Sequence, residues 1–268
     1  MNFTSFYSMR MNPFDKDLKT KDAFMSSDMK QMQGRLEHLK DYPGIGLFTA
    51  PPGMGKTFAL RYFSESLNPN LVRFHYICLS TVTTAEFYRQ LCVELGLEVS
   101  YKKSVMFKRI QDHIYSMKTN KNIHVIICLD EAQYLNPDIL KDLKMICNFC
   151  MDSLNCFTLI LLGQPYLTTI LSRDSNEALR QRIKVNYSFR GLTESEALSY
   201  ISDRMELAGS SSKIFDDNAM VAAYSSCNGS LRQLNSILTK ALMLGAQNNA
   251  TSINTDMILS SVNDISLV

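Results

Sequence analysis

Tryptophan is absent from this 268-residue sequence, and so is any apolar run close to the roughly 20 residues that a membrane-spanning helix needs. The longest strongly apolar runs, such as residues 125–129 and 159–162, are far shorter. The N-terminus has no apolar core followed by a small-residue cleavage site, so we predict no signal peptide. The seven cysteines are odd in number and mostly lie in apolar runs, which is typical of a reducing compartment. Together these absences predict a soluble, cytoplasmic protein that contacts no membrane.

A strong overall charge is also missing. Lys and Arg number 28 against 26 Asp and Glu, which leaves a net charge of +2. This balance excludes a globally basic nucleic-acid binder, although a local basic patch remains possible. Hydrophobic residues make up 46% of the chain and charged residues 20%, which excludes a disordered or collagen-like protein. At roughly 150 residues per domain, the length predicts about 1.8 domains, each with a core of its own.

Short apolar runs alternate with segments of helical spacing over the first two thirds of the chain. Near-continuous apolarity is typical of strands in a parallel sheet that is covered on both faces. The alternation therefore predicts an α/β fold in which helices sandwich a parallel sheet. The predicted strands are 44–49, 72–79, 124–129, 157–162 and 183–189, and the predicted helices are 56–67, 84–95, 104–117, 137–151 and about 165–180.

No strand is predicted after Gly191. Thr193 is placed to cap a helix, with Glu196 in the capping-box position. Further helical patterns follow at about 216–226, 230–248 and 255–264. We therefore predict an α/β domain over residues 1–190 and a small all-helical domain over residues 191–268.

A phosphate-binding loop follows the first predicted strand. Residues 50–57 read Ala-Pro-Pro-Gly-Met-Gly-Lys-Thr, which is the P-loop pattern with Ala in place of the first Gly. The glycines allow backbone N–H groups to turn toward a β-phosphate, and the N-terminus of the following helix adds partial positive charge. Lys56 would contact the β- and γ-phosphates, and Thr57 would place its hydroxyl on Mg²⁺. The predicted nucleotide-binding residues are Pro52, Gly53, Met54, Gly55, Lys56, Thr57 and Phe58.

Two adjacent acids end the third predicted strand. Asp130 at the carboxyl end of this strand is predicted to hold Mg²⁺. Glu131 is predicted to polarise the attacking water as general base. Either acid alone would more often be a solvated residue at the end of a strand. The pair, together with the P-loop, predicts a protein that binds and hydrolyses ATP.

Further motifs resemble one family of P-loop proteins. The segments 130–133 (DEAQ), 161–165 (LLGQP), 179–183 (LRQRI) and 228–235 (NGSLRQLN) are similar to those of AAA+ ATPases of the ExeA/GspA type. That group includes transposition helper ATPases of the TniB and TnsC kind. The resemblance covers nearly the whole chain, and it implies an AAA+ fold in which the helical domain is a lid.

The resemblance also implies roles for polar residues. Gln164 matches the sensor-1 position, which contacts the γ-phosphate or the water. Arg232 matches the sensor-2 position in the lid, although Leu231 stands where the family usually has Pro. Arg182, and after it Arg180, matches the arginine finger that enters a neighbouring subunit's site. For both arginines a salt bridge is the alternative.

The segment before the P-loop, residues 1–43, would form the adenine side of the site in this family. Asn12 and Phe14 are the candidate contacts. Packing onto the core accounts for Phe14 equally well.

Basic residues are concentrated between residues 99 and 122. Six Lys or Arg and one Asp give this segment a charge of +5, so the rest of the chain is mildly acidic. Such a concentration is expected where a protein contacts nucleic-acid phosphates, and transposition ATPases coat duplex DNA through this region. A solvated helix face is the alternative. The predicted DNA contacts are Lys102, Lys103, Lys108 and Arg109.

The leading hypothesis is an ATPase that assembles on duplex DNA, without sequence specificity, as a ring or helical filament. A transposase or target-selector protein would recognise the assembly, and hydrolysis would disassemble it. The first alternative is an ExeA-like secretion-pathway ATPase. Such proteins carry a membrane segment and a peptidoglycan-binding domain after the AAA+ part, and neither occurs before Val268. The second alternative is a nucleotide-gated scaffold with negligible turnover.

Overall fold

A computed structural model describes residues 2–78, 81–210 and 212–265. Within this part of the chain, five strands form a parallel sheet: β1 (Ile45–Thr49), β2 (Val72–Cys78), β3 (His124–Asp130), β4 (Phe157–Gly163) and β5 (Ile183–Ser188). The strand order is β2-β3-β4-β1-β5. The predicted parallel α/β fold is therefore confirmed.

Twelve α-helices are present in the same described residues. None of them is long and apolar enough to cross a membrane. They are α1 (Phe3–Phe6), α2 (Ser27–Asp41), α3 (Lys56–Ser66), α4 (Thr84–Glu94), α5 (Lys103–Thr119), α6 (Pro137–Ile146), α7 (Tyr166–Leu171), α8 (Glu177–Arg180), α9 (Glu194–Leu207), α10 (Asp217–Cys227), α11 (Leu231–Gln247) and α12 (Thr255–Ile265).

The sheet and its helices form one compact unit, made of Gln31–Pro51 and Lys56–Phe189. Every residue of β1 and β4 is buried, because helices cover both faces of the central strands. Ile110 and Ile114 of α5 are fully buried in this core. Burying an aliphatic side chain of this size stabilises the fold by about 1.5–3 kcal/mol.

Parallel pairing brings the carboxyl ends of the strands to one edge of the sheet. Thr49 pairs with Gly163, and Cys78 pairs with Asp130. The residues that follow β1, β3 and β4 therefore emerge close together, which is where ligands bind in open parallel sheets.

The second unit is helical. It contains the described residues of 2–30, 52–55 and 190–265, so the chain changes units at Arg190, next to the predicted boundary. The prediction placed all of residues 1–190 in the α/β domain, whereas the described residues up to Lys30 and residues 52–55 belong to the helical unit. For the N-terminal residues the reason is apolar packing, because Phe3, Tyr7 and Phe14 are buried in the core of the helical unit.

Several predicted elements have different ends. The helix predicted over 137–151 ends at Ile146, since Cys150, Met151 and Asp152 adopt left-handed backbone in the turn before β4. The helix predicted over about 165–180 is divided into α7 and α8 by a 3₁₀ turn at Asp174–Asn176. Residue 79, the predicted end of the second strand, lies outside the described residues.

Two helical glycines should respond in opposite ways to substitution by alanine. A Cβ on Gly245 of α11 would overlap the Tyr7 hydroxyl and Cδ1 of Ile253, both of which are buried. We expect Gly245→Ala to lower the free energy of unfolding by about 1–3 kcal/mol, because the packing has to shift. A Cβ on Gly34 of α2 would have no neighbouring atom within 4 Å, so Gly34→Ala should raise the free energy of unfolding by roughly 0.5–1 kcal/mol. Urea denaturation measures both, and equal midpoints for the two variants would contradict the packing described above.

Candidate active site

The turn of the P-loop depends on glycine. Gly53 has φ +84° and Gly55 has φ +91°, a backbone conformation that favours glycine. A Cβ on Gly53 would also lie 2.7 Å from both Cβ of Arg232 and Oγ of Ser230. Position 53 therefore requires glycine for its conformation and for its close neighbours.

Arg232 lies in the first turn of α11, beside this loop. Its backbone N–H donates to the carbonyl of Gly53 at 3.1 Å, and both residues belong to the helical unit. Ser230 caps the same helix, since its hydroxyl accepts from the N–H of Gln233. The contact links the backbones of Arg232 and the P-loop turn, and the sensor-2 role of the guanidinium stays a prediction.

Lys56 and Thr57 begin α3 in the α/β unit. Lys56 is buried, and its ammonium donates to the carbonyl of Ala50 at 3.4 Å. The Thr57 hydroxyl donates to Oδ2 of Asp130 at 3.0 Å. Phe58, which was also predicted to bind nucleotide, places its ring 5.1 Å from the guanidinium of Arg61.

Three donors surround the carboxylate of Asp130, which is only 3% exposed. Oδ2 accepts from Thr57 and, at 2.7 Å, from the Tyr76 hydroxyl, while Oδ1 accepts from the N–H of Glu131 at 2.8 Å. Burial, and then the neighbouring Asp130 carboxylate, raises the pKa of Tyr76 well above its ordinary value. Tyr76 therefore remains a donor to Asp130 at neutral pH.

Tyr76 is a site residue that was not predicted from the sequence. The available signal was its place in the strand, because Tyr76 and Cys78 lie on the same face of β2 and Cys78 pairs with Asp130. That signal requires the order of the strands, which the sequence did not supply.

Glu131 follows β3 in a left-handed conformation, with φ 54° and ψ 37°. The side-chain amide of Gln133 contacts it, with Nε2 donating to Oε2 of Glu131 at 2.6 Å. Oε1 of Gln133 accepts from the backbone N–H of Gln164 at 3.1 Å. The structure thus brings together the predicted general base and the backbone of the predicted sensor-1 residue through the side chain of Gln133, for which no role was predicted.

The residues at this edge of the sheet fit a magnesium ion bound together with a nucleotide. Among the described residues, no group of three or more His, Cys, Asp or Glu could hold a metal ion by itself. Mg²⁺ in phosphoryl-transfer sites usually takes one or two protein oxygens together with phosphates and water. Thr57 and Asp130, which already contact each other, provide such oxygens.

The two arginine-finger candidates bind groups of the α/β unit itself. Arg182 makes a bidentate ion pair with Asp152, at 2.5 and 2.6 Å. Arg180 donates to the carbonyl of Ser172 at 2.7 Å. The salt bridge expected as the alternative is therefore present for Arg182, and a role in a neighbouring subunit stays a prediction.

Most of the predicted DNA contacts have acidic partners. Three ion pairs join the basic segment to carboxylates, and the two whose acids lie outside residues 99–122 reduce the excess of positive charge counted there. Within the part of the chain that the structure describes, Lys102 makes no ion pair, and Tyr101 beside it is 97% exposed. The pairs are Lys103 with Asp142 at 2.5 Å, Lys108 with Asp112 at 2.7 Å and Arg109 with Glu98 at 2.9 Å.

Phe14 and Asn12 take part in local structure of the helical unit. Phe14 is 3% exposed, and its ring lies 6.1 Å from that of Phe215 in an edge-to-face arrangement. Asn12 accepts from the N–H of Phe14 at 3.1 Å. Phe14 therefore packs in the core of the helical unit, as the alternative interpretation predicted, and an adenine contact by Asn12 or Phe14 stays a prediction.

A comparison with protein families agrees with this geometry. Residues 39–171 match the model of the AAA domain. The range contains the P-loop together with Asp130, Glu131 and Gln164. The match supports an AAA+ ATPase. An AAA+ ATPase fold implies nucleotide binding, and both the family and the fold support a nucleotide-hydrolysing enzyme.

A curated relative extends the AAA+ similarity along the chain. General secretion pathway protein A from Aeromonas hydrophila is 28% identical over 246 residues, which is 90% of this chain and 44% of the relative. The chain therefore spans less than half the length of that relative. The match supports the predicted resemblance to AAA+ ATPases of the ExeA/GspA type.

Solved structures share the AAA+ fold. Cdc6p from Pyrobaculum aerophilum has a TM-score of 0.67 and 16% identity over 98% of this chain and 71% of its own. ORC1 from Aeropyrum pernix, solved in complex with DNA, has a TM-score of 0.67 and 16% identity over 96% of this chain and 70% of its own. At these identities the likeness is one of fold.

Proposed function

We propose that the protein binds ATP with Mg²⁺ and hydrolyses it to ADP and phosphate. The observation that carries the proposal is the 3.0 Å hydrogen bond from Thr57 to Asp130. It joins the end of the P-loop to the end of β3, where a phosphate and a cation would be bound together. A P-loop and a strand-end acid in this arrangement are typical of phosphoryl transfer.

Each predicted site residue has a role in the proposed reaction. Lys56 binds the β- and γ-phosphates, and Glu131 accepts a proton from the attacking water. Gln164 orients the water or the γ-phosphate, and Arg232 contacts the phosphates bound by the P-loop turn. Mg²⁺, when bound, neutralises charge on the phosphates, and Thr57 and Asp130 would hold it.

Phosphate release by the purified protein tests this proposal. We expect turnover with ATP and Mg²⁺, and none when EDTA removes the cation. ATP binding without phosphate release would instead favour the nucleotide-gated scaffold.

We further propose that ATP drives self-association. Arg182, or else Arg180, would contact the γ-phosphate bound by a neighbouring copy, where a cation stabilises the transition state. For Arg182 this means exchanging Asp152 for a phosphate, so the ion pair described above would be the resting state of the arginine. A contact of this head-to-tail kind, repeated between copies, gives a ring or a helical filament.

The finer proposal is that the assembly forms on duplex DNA and regulates transposition, with a transposase or target-selector protein as its partner. Its support is the resemblance to transposition helper ATPases, together with the exposed Lys102 and Tyr101 at the start of α5. Contacts from Lys102, Lys103, Lys108 and Arg109 would bind phosphates and would not distinguish sequences. Lys103, Lys108 and Arg109 would have to leave their acidic partners to do so.

A secretion-pathway ATPase is the second candidate, and the match to general secretion pathway protein A favours it. In that case duplex DNA would not change the ATP-dependent assembly. The nucleotide chemistry is the same in both candidates, so the response to DNA distinguishes them.

Electron microscopy with a non-hydrolysable ATP analogue, with and without duplex DNA, provides that distinction. We expect rings or filaments that lengthen or multiply with DNA, and we expect Lys102→Glu with Lys103→Glu to abolish this response while ATP binding is kept. Since each charge reversal replaces an attraction to phosphate by a repulsion, DNA affinity measured at 50 mM salt should fall at least about tenfold. Lys141→Glu, another exposed lysine of the same unit, is the control. Assembly that ignores DNA would favour the secretion candidate, and monomers in every condition would contradict self-association.

A further inference from the structure

One side chain connects the predicted general base to the end of the neighbouring strand. Gln133 lies two residues after Glu131, in the 3₁₀ turn Ala132–Tyr134, and is only 8% exposed. Its amide reaches from the turn after β3 to the first residue after β4. A buried amide needs hydrogen-bond partners for both its NH₂ group and its oxygen, and the Gln133 amide has both.

The two hydrogen bonds determine which way the amide faces. Oε1 accepts from the N–H of Gln164, so Nε2 is directed at the carboxylate of Glu131. The reversed amide would place its oxygen against a carboxylate and its NH₂ against an N–H group, which is two repulsive contacts. The donor to Glu131 is therefore fixed by the backbone at the end of β4.

The close approach also depends on a glycine. A Cβ on Gly163 would lie 2.7 Å from Oε1 of Gln133 and 2.8 Å from Cδ2 of Leu167. Any side chain at position 163 would push the amide away from Gln164 or displace α7. The absence of a side chain at the last residue of β4 thus makes room for Gln133.

The backbone of Glu131 is held as well. Its left-handed conformation is uncommon for a residue with a side chain, and its N–H donates to Oδ1 of Asp130. Backbone and carboxylate are therefore each restrained by a separate hydrogen bond. Such restraint is what a general base needs, because small displacements from the reacting water lower the rate strongly.

We propose that Gln133 is a positioning residue for hydrolysis, which rests on the proposed function. One hydrogen bond of its amide holds the carboxylate of Glu131. The other, from the N–H of Gln164, fixes the amide, and so the carboxylate, relative to the end of β4. A shift of the Gln164 backbone moves the amide, and the amide moves Glu131. The position of the base is thereby coupled to the strand end that carries the predicted sensor.

The test compares Gln133→Glu with Gln133→Met. The glutamate variant keeps the size and still accepts from the N–H of Gln164, but at neutral pH it repels Glu131 instead of donating to it. We expect kcat to fall roughly 10–100-fold in Gln133→Glu, with KM for ATP within about twofold of the wild-type value. Gln133→Met, which loses both hydrogen bonds, should be impaired at least as strongly.

Gln33→Met is the matched control. Gln33 is a partly buried glutamine on α2 of the α/β unit, and its amide donates to the carbonyl of Ala59 at 2.7 Å. We expect its kcat to match the wild type. Thermal denaturation identifies any variant that fails to fold.

A double-mutant cycle with Glu131→Gln distinguishes a failure of the role proposed for Gln133 from a failure of the proposed function. If Gln133 acts through Glu131, Gln133→Glu should cause no further loss in the Glu131→Gln background. A folded Gln133→Glu variant with wild-type kcat, or one whose loss is the same in both backgrounds, would overturn the role of Gln133. Wild-type protein without turnover would instead overturn the proposed function, and undiminished turnover in Glu131→Gln alone would overturn the assignment of Glu131 as the base.

Discussion

Glu131→Gln is expected to lower kcat for ATP hydrolysis by roughly 10²–10⁴-fold, the usual contribution of a positioned general base. Glutamine keeps the size of the side chain but cannot accept the proton of the attacking water. The affinity for ATP should stay within about threefold of the wild-type value, since Glu131 is assigned to the water and not to the phosphates. Phosphate release at saturating ATP and titration with a fluorescent ATP analogue measure the two quantities.

Glu177→Gln is a close control for this substitution. Glu177 is another glutamate of the α/β unit that accepts from a glutamine amide, that of Gln181 at 3.1 Å. It lies on α8 and has no assigned part in the chemistry, so its variant should hydrolyse ATP at the wild-type rate. Equal rates for Glu131→Gln and the wild type would require a different base.

Lys56→Ala is expected to weaken ATP binding by roughly 10–150-fold, because a charge-assisted hydrogen bond to phosphate typically contributes about 1.5–3 kcal/mol. Lys56 is 7% exposed, and its ammonium lies against the carbonyl of Ala50 at the beginning of the P-loop. A phosphate bound by this loop would be next to that charge. Kd for a fluorescent ATP analogue, measured with Mg²⁺, reports the change.

Lys184→Ala is the control for Lys56→Ala, because it also removes a lysine that donates to a backbone carbonyl near β1. The Lys184 ammonium donates to the carbonyl of Pro43 at 2.7 Å, just before this strand. Its removal should leave Kd unchanged because it is at the opposite end of β1 from the P-loop. A similar loss of affinity in both variants would indicate a general effect on the α/β unit and would contradict the role of Lys56.

The architecture of the α/β unit was predictable because its strands are buried on both sides. Continuous apolar runs such as 159–162, when helical patterns separate them, are typical of strands in a covered parallel sheet. The P-loop was predictable for a related reason, since the positive φ angles of Gly53 and Gly55 restrict the residue type. Local constraints of this kind leave a direct mark on the sequence.

Contacts between distant segments left no such mark. Phe14 is an apolar residue in a charged stretch, and only the structure shows that Phe215 is its neighbour, some 200 positions away in the chain. Likewise the basic segment 99–122 contains one acid, but two of its ion-pair partners, Glu98 and Asp142, lie outside it. A count of charge along the chain therefore overstated the positive potential that these lysines present.

The site residues that directly follow strands were predictable from the sequence, but the residues that hydrogen-bond to them were not. Lys56, Asp130 and Glu131 stand at recognisable positions after strands, whereas Tyr76 and Gln133 act through hydrogen bonds that depend on strand order and side-chain direction. Tyrosine within a strand and glutamine in a turn are both common without any such role. Only the neighbouring carboxylates distinguish these two residues.

The Tyr76 contact would make the binding of a cation at Oδ2 of Asp130 a competition. A carboxylate oxygen has two lone-pair directions, and Oδ2 of Asp130 already accepts from both Thr57 and Tyr76. A cation that takes this oxygen must displace a hydroxyl, and Thr57 is itself a proposed ligand, so Tyr76 is the donor that leaves. The phenol thus satisfies one lone-pair direction of a buried carboxylate oxygen, and it is the group that the proposed cation would replace there.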